Sequence, residues 1–465
     1  MAELRKALGV WDVILLNVTA IIGLRWISLA AAGGNTSMTL WVIALALFFF
    51  PQAVAVIELT RKIPAEGGVY SWTKSTFGNF HGFIAGWCYW TNNLVYFPFL
   101  LVYVAGISVF IAGSGYQDVG ESKAYVLTFS LLALFAVMVA NVIGLQTGKW
   151  LQNAGGVGTW GAGAVLLVFG GLAFARFGSA NPMPVESFFY EILTFAKLSF
   201  FAGICFGFAG LELAAVLAGE IKDPERAVPR ATLVSGAVIT AIYVLGTLAL
   251  LVALPRSEIN VITGFLQGIA AVGDKLGAGW ATRLLALLIT LGGIGGLMAW
   301  FTGAARMPFV AGIDRFLPDS FGRLHPKYGS PYVAVTLQAV LAAGFAVMSL
   351  AGATVQEAYL VLLDTTLLVY FVPYVYLFAT HVLVRNRDQA PEPDYRFLKS
   401  QRLAQLASAC GLITTLLAMA MALVPPGETE NVLLFEIKVV GGFLSFLGVG
   451  GLVYWLGTRA PRRDS

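Results

Sequence analysis

Long apolar runs dominate this chain, and they constrain it more than any motif does. Twelve such runs can be read at residues 10–32, 38–59, 81–112, 123–143, 157–177, 192–218, 231–254, 280–309, 332–350, 357–383, 403–424 and 434–457. A helix needs about 20 apolar residues to cross the hydrocarbon core of a bilayer, and most of these runs reach that length. Only 12% of the residues are charged and 58% are hydrophobic, too little charge to cover a water-facing surface. The solvent around most of these helices is therefore lipid, and the fold class expected is all-α integral membrane with about 12 transmembrane helices. Two stretches, 71–80 and 258–276, read as short helices outside the bilayer core.

Charge distribution orients the chain. With the N-terminus inside, the basic clusters Arg5/Lys6, Arg61/Lys62/Lys74, Lys149, Lys222/Arg226/Arg230, Arg306/Arg315/Arg323/Lys327, Arg385/Arg387/Arg396/Lys399/Arg402 and Arg459/Arg462/Arg463 all fall on one side. That is most of the 29 basic residues. It places both termini in the cytoplasm of a multi-pass cell-membrane protein. Asp12 and the length of the first run argue against a cleaved signal peptide. A net charge of +4 spread this way gives no reason to expect nucleic acid as a partner.

Cys88, Cys205 and Cys410 each lie within an apolar run, at spacings unsuited to a metal, and read as small buried hydrophobes. His81, His325 and His381 are far apart in the chain. No nucleophile–base pair or ligand cluster appears in the spans, so the chain reads as a non-enzyme without a cofactor or metal. A proton-pumping subunit would carry several mid-span lysines. Lys197 alone does not suffice, and it is close enough to a span end to snorkel.

Two runs interrupt their own helical logic. The first contains Ile21-Ile22-Gly23-Leu24-Arg25-Trp26-Ile27, and the sixth contains Phe206-Gly207-Phe208-Ala209-Gly210-Leu211-Glu212. Interrupted helices at matching places in two halves point to a midplane site in a secondary transporter. A broken helix frees N–H groups that attract carboxylates and carbonyls that attract ammonium groups, and a zwitterionic amino acid offers both. Substrate contacts are accordingly expected at Ile22, Gly23, Leu24 and Arg25, and at Phe206, Gly207, Phe208 and Ala209.

Several ordered segments carry a family likeness. After the second run comes Arg61-Lys62-Ile63-Pro64-Ala65-Glu66-Gly67-Gly68-Val69-Tyr70, followed by Phe77-Gly78, Gly82-Phe83 and Gly86-Trp87. The sixth run leads into Gly219-Glu220-Ile221-Lys222-Asp223-Pro224-Glu225-Arg226 and Pro229-Arg230-Ala231. Gly303-Ala304-Ala305-Arg306 and Phe316-Leu317-Pro318 follow the eighth. The set resembles the amino acid–polyamine–organocation superfamily of permeases over about residues 10–335. The resemblance implies a leucine-transporter-type 5+5 inverted repeat with broken helices 1 and 6. Its repeats would occupy 1–178 and 179–400, with two additional spans in 401–465. It further implies a secondary active amino-acid transporter, a permease or exchanger working by alternating access. Its partners would be a small-molecule amino acid, the lipid bilayer, and an exchange substrate or proton. The alternatives are a polyamine or amine transporter of the same fold and a non-transporting amino-acid sensor.

The departures are informative. Arg25 and Trp26 stand where the family's first span usually continues Gly-Ile, a pattern closer to the glutamate/GABA-antiporter-like branch. Thr159 stands where proton-coupled relatives can carry a lysine, and Gly292-Gly293-Ile294-Gly295-Gly296 offers no Ser/Thr pair for sodium. Exchange is therefore favoured over ion-driven uptake. Trp300, eighteen residues before Pro318, and Phe206, six before Glu212, match substrate-flanking positions of the family, as do Asn93 and Phe97.

A mid-span arginine costs at least about 2.5–3.5 kcal/mol to insert, so Arg25 needs a reason. It either reads an anionic substrate group or pairs with Glu212 or Asp364. Glu212 either titrates during the cycle or ties its span to neighbours. Asp364 is either structural or cavity-facing.

Overall fold

The computed structural model describes residues 6–190, 194–259, 264–314, 316–350, 355–387, 395–424 and 432–459. Arg5, Arg315, Arg462 and Arg463 lie outside the described residues, as do the side chains of Lys149 and Lys197. The principal helices are α1 Val10–Ile21, α2 Leu24–Ala32, α3 Thr36–Lys62, α4 Val69–Phe77, α5 Asn79–Ile111, α6 Lys123–Ile143, α7 Leu145–Phe177 and α8 Phe195–Phe208. There follow α9 Leu213–Val216, α10 Pro224–Ala253, α11 Gly264–Lys275, α12 Trp280–Ala304, α13 Arg306–Ile313, α14 Tyr332–Leu350, α15 Val355–Arg387, α16 Gln401–Met421 and α17 Val432–Arg459.

Eleven helices among the described residues are long and apolar enough to cross a membrane. The sixth expected run is not among them because it is divided into α8 and α9. The outer faces of the helices carry large apolar side chains in the open, such as Leu132 at 65% and Ile413 at 66% exposure. A protein surrounded by water does not present such a belt, whereas one surrounded by lipid does. The protein is a multi-pass membrane protein.

Both expected breaks are present. Between α1 and α2, Ile22 (φ −67°, ψ 96°) and Gly23 (φ −101°, ψ 109°) are extended. Between α8 and α9, Ala209 is extended and Gly210 has φ +131°, a conformation that glycine alone adopts cheaply. A Cβ on Gly210 would also sit 2.8 Å from Ile21 Cγ1 and 3.0 Å from the Trp300 ring, so the second break is seated directly on the first. In α3, Leu45–Phe49 forms a π-type stretch, a local insertion often found beside functional sites.

One expected boundary moves. The fifth span was read from residue 157, but α7 begins at Leu145, after Gly144 at φ +117°. Gly155 and Gly158 lie inside α7 and let it approach α12 closely, since a Cβ on Gly155 would strike the Gly295 backbone.

Candidate functional site

Breaking a helix exposes backbone groups that must find partners away from water. Three aromatic side chains supply many of them. The Tyr243 hydroxyl, from α10, accepts from the Gly23 N–H (3.1 Å) and lies 2.6 Å from the Ile21 carbonyl and 3.0 Å from the Gly207 carbonyl. One phenol therefore touches both breaks. Trp300 Nε1 donates to the Ala20 carbonyl at 2.7 Å, and the Tyr374 hydroxyl accepts from the Gly210 N–H at 2.7 Å.

A cavity lies between the breaks. Its walls are Ala20, Ile21, Arg25 and Trp26 from the first span, Asn92, Asn93 and Tyr96 from α5, Phe206 and Ala209 from the sixth span, Trp300 from α12 and Tyr370 from α15. Trp26 meets Phe206 edge-on at 5.3 Å, and Trp300 meets Tyr370 at 5.7 Å. The Arg25 guanidinium donates to the Tyr96 hydroxyl (2.8 Å) and lies 4.6 Å from the Trp26 ring and 5.1 Å from the Phe99 ring. Aromatic faces hold a cation in a poor solvent, which answers part of the insertion cost. The side-chain carbonyl oxygens of Asn92 and Asn93 are buried without a hydrogen-bond partner among the described residues. Buried acceptors left open in a cavity wall suit a ligand's N–H groups.

A second cavity adjoins the first and shares Ala20, Arg25 and Tyr96 with it. It lies behind the first break and is lined also by Ile22, Gly23, Leu24, Tyr103 and Thr159, with Gly292, Gly293 and Gly296 of α12 as its far wall.

Of the residues singled out in the sequence, Arg25, Asn93, Phe206, Ala209 and Trp300 line the first cavity. Ile22, Gly23, Leu24 and Thr159 line the second, which Arg25 also borders. Gly207, Phe208, Phe97, Glu212 and Asp364 line neither. Gly207 turns its carbonyl to Tyr243. Phe208 points the other way, into a stack with Phe49 and an edge contact with Trp41. Phe97 stacks on Phe301. Both carboxylate oxygens of Glu212 are engaged by neutral donors: Tyr370 at 2.6 Å on one, Tyr374 at 2.5 Å and Gln52 at 3.0 Å on the other.

Sequence reasoning missed Asn92, Tyr96, Trp26, Tyr370, Tyr374, Gln52 and Tyr243. Tyr96 lies three residues after Asn93 and four after Asn92, on the same helix face, and that periodicity was the available signal. Nothing in sequence tied Tyr243 to Gly23, 220 residues away.

Two charge clusters lie outside the cavities. Arg306 contacts the carboxylates of Glu220 and Glu66 (3.6 Å to the latter), and Glu66 accepts from the Gly219 N–H at 2.6 Å. Burial and the Glu220 carboxylate push Glu66, in the loop before α4, up to about 8 even with Arg306 beside it. Nearby, Asp314 accepts from Lys74 (2.5 Å) and Tyr70. In the second cluster Glu58 accepts from His381 (2.8 Å), from Arg385 Nη2 (3.3 Å), and from the Phe397 and Leu398 N–H groups, with Arg385 Nε 2.9 Å away in the same ion pair. Arg306 and Arg385, counted with the loops on charge alone, are in fact buried in these clusters.

Split helices packed against one another around a cavity that holds a cation and open acceptors define a membrane transporter of small polar solutes. The chain belongs to the amino acid permease family, whose profile matches residues 8–443. It is 29% identical to an uncharacterized transporter of Legionella pneumophila over 96% of both chains. It is 22% identical to a probable agmatine/putrescine antiporter of Lactococcus lactis, over 91% of this chain and 89% of the relative. A glutamate/gamma-aminobutyrate antiporter of the same organism is also 22% identical, over 86% of this chain and 82% of its own.

Proposed function

We propose that the protein is an amino-acid exchanger of the cell membrane, working by alternating access, with both termini in the cytoplasm. Residues 1–178 and 179–400 form its two inverted repeats, and 401–465 add two spans. The observation that carries this reading is that one cavity between the breaks holds both a cation and open acceptors. Arg25, in the first turn of α2, brings positive charge to it. Asn92 and Asn93 bring open carbonyl oxygens, among the rings of Trp26, Tyr96, Trp300 and Tyr370. A substrate carboxylate sits against α2 and Arg25. Its ammonium meets the asparagine oxygens and the aromatic faces.

A diamine is the second reading, supported by the agmatine/putrescine relative. The cavity opposes it, since Arg25 is the one charged residue in its lining and would repel a dication. A thermal-shift screen on purified protein separates the two, because a ligand at about 100 times its Kd adds about 2.7 kcal/mol of stability. Amino acids are expected to raise the melting temperature and putrescine and agmatine to leave it unchanged. The reverse ranking overturns the proposal.

A further inference from the structure

The second cavity has walls rich in hydrogen-bond donors. Arg25 reaches it from the substrate cavity, and the N-terminus of the nine-residue helix α2 opens onto it at Gly23–Arg25. Thr159, from α7, lines it at 2% exposure, and its hydroxyl makes no hydrogen bond among the described residues. A hydroxyl that makes no such bond and faces a cavity can take one from a ligand. Among the described residues no carboxylate lines this chamber. A guanidinium, a helix N-terminus and a free hydroxyl together select an anion and repel a cation. The room comes from glycine. A Cβ on Gly292 would sit 2.6 Å from Thr159 Oγ1, and one on Gly296 would sit 3.0 Å from the Thr19 carbonyl.

We propose that this chamber is a carboxylate subsite, in which Thr159 and Arg25 hold the side-chain carboxylate of an acidic amino acid whose backbone zwitterion occupies the adjoining cavity. The inference rests on the reading of that cavity as the substrate site, and it deepens that reading by naming the substrate class. Arg25 stands between the two chambers and is shared by both. A neutral substrate leaves the Thr159 hydroxyl without a partner, and an acidic one satisfies it. The same chemistry admits a free small carboxylate, such as acetate, as a separate ligand.

The test uses the full-length protein in detergent, with affinities for L-glutamate, L-glutamine and acetate measured by ligand-dependent unfolding at constant ionic strength. The parent is expected to prefer glutamate to glutamine. Thr159→Val removes the hydroxyl at nearly constant shape and should lower the glutamate-to-glutamine affinity ratio about tenfold or more, the range for a lost hydrogen bond to a charged group. Thr159→Ser should retain most of the ratio. Gly292→Ala fills the chamber from the opposite helix and should reproduce the loss, covering the case in which Thr159→Val does not fold. Competition between acetate and glutamate assigns the subsite to the substrate's own side chain. Acetate binding that depends on Thr159 but adds to glutamate binding assigns the chamber to a free carboxylate and overturns the two-chamber substrate. Unchanged ratios in Thr159→Val and Gly292→Ala overturn the subsite while amino-acid binding persists. Failure of every amino acid to bind overturns the substrate site itself, and with it the two-chamber substrate, whatever acetate does.

Discussion

Glu58→Ala is expected to destabilise the protein by about 3–5 kcal/mol, the largest effect on folding of any single side-chain truncation considered for this chain. Glu58 is fully buried in α3 and receives His381 Nε2, Arg385 Nη2 and two backbone N–H groups of the segment after α15. His381 passes the tie on through Nδ1 to Ser408 of α16 at 2.6 Å. One carboxylate therefore joins α3, α15, the 397–398 segment and α16. Truncation strands a buried guanidinium and removes the acceptor of two half-buried N–H groups. Thermal unfolding in detergent should show a melting temperature well below that of the parent, and Glu58→Gln should lie between the two. A truncated variant that melts with the parent would mean that the cluster contributes nothing to folding.

Arg25→Gln is expected to have the largest effect on function. Losing the charged partner of a carboxylate in a desolvated site costs about 2–5 kcal/mol, which is about 30-fold in affinity or more. Arg25→Lys should not restore binding, because an ammonium cannot reproduce the planar fork that meets Tyr96 and a carboxylate together. The competing role for Arg25, an ion pair with Glu212, makes a different prediction. Adding Glu212→Gln would then recover stability lost in Arg25→Gln. Glu212 is already satisfied by Tyr370, Tyr374 and Gln52, so no such recovery is expected. Binding and unfolding measured on the two single variants and the double variant settle the matter, and recovered stability in the double variant would reassign Arg25 to structure.

The fold was legible because its determinants are local. Run length gives the spans, and Gly23 and Gly210 mark breaks that appear where the glycines stand. The candidate site was half legible. Arg25, Phe206 and Trp300, which line the first cavity, are each singled out in sequence by a charge, a break or a spacing. Tyr243, Tyr370 and Tyr374 were not, because a tyrosine in an apolar run carries no local sign of what its hydroxyl meets across the bundle. Phe97 and Phe208 were misplaced for a related reason. An aromatic in a span faces the cavity or the packing according to helix rotation, and neighbouring helices set that rotation. The glycines of α7 and α12 likewise carry no local sign of their partners, and they are the surfaces on which the two helices close.

Exchange across a sealed membrane tests the central claim most directly. Proteoliposomes containing the purified protein are loaded with a labelled amino acid that the unfolding screen identifies as a ligand, and efflux is followed on adding unlabelled amino acids outside. Thr159 and the glycine stretch of α12 remove the features expected of ion coupling, so sodium should be dispensable. Efflux should start when the external amino acid is added, continue with choline in place of sodium, and fail in Arg25→Gln. Binding without efflux would make the protein a sensor, and efflux that stops when sodium is withdrawn would contradict exchange as the mechanism.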